Sequence, residues 1–208
     1  MPVRPDYLEH LDRESRRFGA VLADADPALA VPTCPDWNAA DLLWHLTEVQ
    51  WFWATIAVER LTEPEPTERT KPARPGNRAA LLALFETARR RLADALRETP
   101  DETRVWTWAA DKTVGFIRRR QALIHRVDAE LTAGNAVTPM DPALSADGVD
   151  EPMLDVVATS GDADAVVRGP AADLDRWMWF RADGSGLQMS GDPAVLDRLA
   201  ETVAPGVQ

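Results

Sequence analysis

The stretch AADLLWHLTEVQWFWATIAVERL, residues 39–61, decides the fold. Within it Leu42, Leu46, Val49, Trp53 and Ile56 recur at steps of three and four, which lines side chains along one face of an α-helix. Asn38 stands where an N-cap side chain accepts the first free amides, and Asp41 adds negative charge to the first turn. The spacing predicts a helix over 39–61 whose apolar stripe must pack against other elements.

The same pattern extends outward. Leu8, Leu11, Phe18, Val21 and Leu22 predict a first helix over 7–25. Pro32 and Pro35 make the passage before Asn38 an extended loop. Residues 62–76 hold four prolines and three glutamates among basic residues and read as an exposed linker. Asn77 caps a third helix reaching about residue 98, with Leu81, Phe85, Ala88, Leu92 and Leu96 inward. A fourth spans 113–133 and stops at Gly134 and Asn135. Four helices with short or moderate links read as an up-down four-helix bundle over residues 1–138.

After Pro139 helix and strand signals alternate. Helices are expected over 142–157 (capped by Asp141), 170–180 and 193–203, and strands over 165–168 and 187–190. Residues 139–208 therefore read as a small α/β cap domain, and the chain as mainly α.

Composition narrows the partners. The 208 residues are 45% hydrophobic and 27% charged, ordinary for a globular protein. Without a long apolar run or a signal core, and with Cys34 as its single cysteine, the chain reads as cytoplasmic. A net charge of −11 repels phosphate backbones and anionic lipid, so neither nucleic acid nor membrane is an expected partner. Eight tryptophans stand against one tyrosine, and Trp37, Trp44 and Trp51 recur every seven residues. On a helix they would form one stripe, for core packing, a pocket wall or the interface of a homodimer; monomer and homodimer both stay open.

Three histidines are present. His10 sits among Glu9, Asp12 and Arg13 on an expected solvated face. His45 lies in an apolar run and needs partners for its ring nitrogens. Glu48, three residues on, is a candidate for one, which would make His45 a satisfied core residue. His125 follows Gln121 by four, so both side chains can reach one point, the way metal sites are set on bundle helices. A carbonyl oxygen is a weak ligand, and Gln121 with His125 alone is a low-specificity signal. Cys34, in a proline-flanked loop without a nearby base, reads as a buried structural residue.

Five blocks, in order along nearly the whole chain, carry a resemblance. They are VPTCPDWNAADLLWH (31–45), RRRQALIHRVDAE (118–130), PALSADGVDE (142–151), DAVVRGPAADL with WMWFR (164–174 and 177–181), and GDPAVL (191–196). Together they resemble the mycothiol-dependent maleylpyruvate isomerase family, within the DinB-like metal-binding bundles of actinobacteria. The resemblance implies a divalent ion, zinc or alternatively nickel, held by one histidine on the second helix and a Glu-x-x-x-His pair on the fourth. His45 and His125 match the histidines; the glutamate position falls on Gln121, a neutral ligand that should hold zinc less tightly. A second departure is the stretch 155–162, short where relatives carry a further strand pair.

On this reading the chain is a metal-dependent, mycothiol-dependent isomerase or S-transferase. His45, Gln121 and His125 hold the metal. The partners are a small-molecule thiol and a small electrophilic, carboxylate-bearing substrate. Trp44, Trp51 and Trp53 form a dry wall for the cofactor, Glu48 is a candidate acid–base group, and Arg119 or Arg126 grips the carboxylate. The alternatives are a metal-poor module binding a small apolar ligand, favoured by Gln121, and a metal-dependent hydrolase with Glu48 as its base.

Overall fold

The computed structural model describes residues 6–119, 123–149 and 163–203. The chain is mainly helical, with two small antiparallel sheets among the described residues. It divides into two compact units, Asp6–Val137 and one built on Thr138–Gln208.

In the first unit α1 (Tyr7–Asp24) starts where the Asp6 carboxylate accepts the Glu9 amide at 3.0 Å. A short hairpin follows, β1 (Ala30–Val31) against β2 (Cys34–Asn38). Asn38 then opens α2 (Ala39–Glu59) with a reciprocal capping box. The Asp41 amide donates to Asn38 Oδ1 at 2.9 Å, and the Asn38 amide to Asp41 Oδ2 at 3.0 Å. α2 ends at Arg60 in the left-handed region, φ 51°. Asn77 caps α3 (Arg78–Glu98) by accepting the Ala80 amide at 2.9 Å. Last come α4 (Val114–Arg119) and α5 (Leu123–Thr132).

α2 lies along α3, while α1 packs on both α3 and α5. Among the described residues two apolar clusters fill the interior of this unit. One gathers Leu11, Trp53, Ile56, Leu92, Leu96 and Ile117. The other gathers Phe18, Leu22, Leu42, Leu46, Leu81 and Phe85. The second depends on close approach of α1 to α3 at Gly19, where a Cβ would sit 2.8 Å from the Phe85 ring.

The expected stripes of α1, α2 and α3 face these clusters, but three expectations change. The loop before Asn38 is a hairpin, and it puts Trp37 on β2. Trp37 therefore does not continue the stripe of Trp44 and Trp51, and its seven-residue spacing is coincidental. Residues 62–76 are not a bare linker either. They hold a 3₁₀ turn over Glu65–Arg69 with Thr67 buried, and are tied to α2 by Lys71 with Glu48 and Arg74 with Asp41. His10 is buried rather than solvated, and its Nδ1 lies 2.6 Å from Arg13 Nη2.

In the second unit the Asp141 carboxylate accepts the Ala143 and Leu144 amides and opens α6 (Pro142–Val149). β3 (Ala165–Arg168) pairs antiparallel with β4 (Gln188–Gly191). α7 (Ala171–Met178) and α8 (Pro193–Val203) accompany them. The expected extension of the first helix to residue 157, and the short stretch 155–162, lie outside the described residues. Among the described residues no helix is long and apolar enough to cross a membrane.

Candidate functional site

His45, from the first half of α2, and His125, from the start of α5, meet inside the first unit. Their ring centroids are 5.1 Å apart and the rings stand nearly edge-on, at 72°. Trp37 leaves the hairpin to pack against His45, with centroids 4.7 Å apart.

Burial, and then the neighbouring His125, bring the His45 pKa down to about 4, while Asp128 acts in the opposite direction. His45 is therefore neutral near pH 7 and keeps a nitrogen lone pair for a ligand. His125 Nδ1 is closed off from solvent and, among the described residues, has no hydrogen-bond partner. Asp128 Oδ2 lies 3.6 Å from it. Asp128 is itself buried and accepts a hydrogen bond from Thr33 Oγ1 at 2.6 Å.

The other candidate residues divide between separate places. Gln121 lies outside the described residues. Among the described residues no group of three or more His, Cys, Asp or Glu side chains is arranged to hold a metal. Glu48 ion-pairs with Lys71 and not with His45. It lines a cleft of about 260 Å³ together with Trp51, Phe52, Trp53 and Thr67. Trp53 belongs to an aromatic array, stacked on Trp106 with centroids 5.7 Å apart. The Arg91 guanidinium covers Trp51, 4.3 Å from the ring centroid. Trp44 packs on the other cluster, as does Trp37. The single wall expected from Trp44, Trp51 and Trp53 is thus not continuous: Trp44 packs on one cluster, Trp53 on the other, and Trp51, two turns of α2 beyond Trp44, lines the cleft.

The two arginines also part. Arg119 sits half-buried at the end of α4. Arg126 is 1% exposed; its Nε donates to Glu14 Oε2 and its Nη1 to Glu130 Oε2, each at 2.7 Å. A guanidinium so engaged is out of reach of a substrate carboxylate, which corrects the expectation for Arg126. Arg118, beside Arg119, is no free surface charge: it donates to the Thr99 carbonyl at 3.0 Å and pairs with Asp101. Cys34 is buried, as expected. Thr33 was not among the expected residues. Its partner Asp128 is 95 positions away, so no spacing could join them.

These features define a helical domain with a half-buried histidine pair between two of its helices. The chain belongs to the family described as the mycothiol maleylpyruvate isomerase N-terminal domain, which matches residues 8–130. No curated protein and no solved structure matches it.

Proposed function

We propose that this chain is a metal-dependent, mycothiol-dependent isomerase or S-transferase for a small electrophilic substrate bearing a carboxylate. Its first unit would be an up-down four-helix bundle of the DinB-like type, followed by a small α/β domain. The observation that carries this reading is the His45–His125 pair, two imidazoles from distant helices brought to ring contact.

The residues present fit a divalent ion. His45 is neutral at working pH, and His125 has a buried Nδ1 that fixes which edge of its ring stays open. His45 and His125 would hold the ion, with Gln121 as the third protein ligand. When bound, the metal supplies a Lewis acid that lowers the pKa of a thiol. Trp37 shields one face of His45 from water. The cleft at Trp51 and Trp53 offers apolar surface to the cofactor or substrate, and Glu48 and Lys71 give it polar handles. Arg119 is the remaining candidate for the carboxylate.

A second reading keeps the fold as a metal-poor module for a small apolar ligand. One observation favours it: the neutral Gln121 in the sequence, where a charged ligand is expected.

Zinc affinity, measured by competition with a chromophoric chelator, tests the ligand set. His125→Ala is expected to abolish binding. Gln121→Glu is expected to tighten it about tenfold or more, because a charged oxygen replaces a neutral one. Unchanged affinity in His125→Ala would show the ligand set to be wrong.

A further inference from the structure

We infer that Asp128, anchored by Thr33, is a positioning residue that sets the tautomer and the aim of His125. This rests on the metal-site reading above, but its main readout does not need the metal.

Asp128 follows His125 by three on α5 and is 1% exposed. A carboxylate so buried is costly unless hydrogen-bonded. Thr33, in the turn between β1 and β2, donates to its Oδ1 at 2.6 Å, a short charge-assisted bond that fixes the carboxylate plane. With Oδ1 held there, Oδ2 faces His125 Nδ1 at 3.6 Å. A movement of about 0.6 Å would bring the two into hydrogen-bond range.

The environment of the ring agrees. The His125 side chain is 23% exposed, yet its Nδ1 is shut off from solvent, without a hydrogen-bond partner among the described residues. The open edge of the ring is therefore not the Nδ1 edge. A carboxylate facing Nδ1 favours the tautomer with the proton there, which leaves the Nε2 lone pair at the open edge, toward a ligand. Asp128 thus acts through the imidazole and is not itself a ligand.

The hairpin gains a role from this. It places Trp37 on the ring of His45 and, through Thr33 and Asp128, braces His125. One short element so governs the surroundings of both histidines.

The test uses the full chain, labelled with ¹⁵N and free of metal, with histidine ¹⁵N–¹H correlation spectra reporting the tautomer of His125. Zinc affinity is read in parallel by chelator competition. Wild type is expected to hold the Nδ1–H tautomer. Thr33→Val, which keeps the shape and removes the hydroxyl, and Asp128→Ala should shift His125 toward a mixture and weaken zinc about 10- to 100-fold. Thr33→Ser keeps the hydroxyl and should retain wild-type values of both. If Asp128→Ala does not fold, the contrast between Thr33→Val and Thr33→Ser decides. An unchanged His125 tautomer in Thr33→Val overturns the inference. So does loss of zinc binding in Asp128→Ala while Thr33→Val stays at wild-type affinity and tautomer, since that marks Asp128 as a ligand. A wild type that binds no zinc, yet shows the tautomer shift in the variants, sinks the metal reading and supports the positioning role.

Discussion

Arg126→Met is expected to destabilise the protein by about 3–5 kcal/mol in denaturant unfolding at pH 7. The guanidinium lies between the carboxylates of Glu14 on α1 and Glu130 on α5, and all three side chains are almost fully buried. Arg17 reaches Glu130 from the surface side at 2.8 Å. Removing Arg126 leaves each buried carboxylate to a half-exposed arginine, Arg13 for Glu14 and Arg17 for Glu130, and takes away the buried cation between them, so the loss exceeds that of one hydrogen bond. Neutralising the partners is the control. Glu14→Gln and Glu130→Gln, added to Arg126→Met, should restore part of the stability, because two buried like charges no longer face each other without the guanidinium between them. A single-variant cost below about 1 kcal/mol would place Arg126 with ordinary surface pairs and return it to the candidates for substrate binding.

The second large effect depends on pH. Asp175 on α7 is 2% exposed, and Gly148 of α6 approaches it so closely that a Cβ there would lie 2.7 Å from its Oδ1. Burial raises its pKa from 3.8 to about 7, against a partial lowering by Ser145 and Trp179. The other charged groups on the two packed helices are Asp147 on α6, and Asp173 and Arg176 on α7, which pair with each other at 2.6 Å. Between pH 3.8 and about 7 the folded protein holds a proton that the unfolded chain has released. Stability from this group is thus full below pH 3.8 and is lost as pH rises through 7. Asp175→Asn removes that dependence. Relative to wild type, the variant should gain up to about 4 kcal/mol between pH 4 and pH 8, as read from unfolding curves across that range. A pH-independent difference between the two proteins would mean that Asp175 ionises freely in the folded state.

The helices were legible because their signals are local. Asn38 and Asn77 cap where their side chains sit in sequence, and the stripes of α1, α2 and α3 follow one period. The hairpin was hidden because β1 has two residues, too few for an alternating pattern, and two prolines dominate the passage. Residues 62–76 looked unable to pack because their composition is polar, yet ion pairs hold them to α2. At the site, the pairing of His45 with His125 was expected from the family resemblance; helix spacing alone placed each histidine on a helix without joining the two. The fate of Arg126 was not legible. A helical Arg126 with Glu130 four residues later looks the same on a wet face as in a core, and the deciding partner, Glu14, is 112 positions away. Thr33 was invisible for the same reason.

Elemental analysis of the full chain, purified without a nickel column and dialysed after zinc addition, tests the central claim most directly. The expected result is about one equivalent of divalent metal, lost in His125→Ala and in His45→Ala alike. Less than about a tenth of an equivalent bound to the wild-type protein would contradict the claim that His45 and His125 form a metal centre.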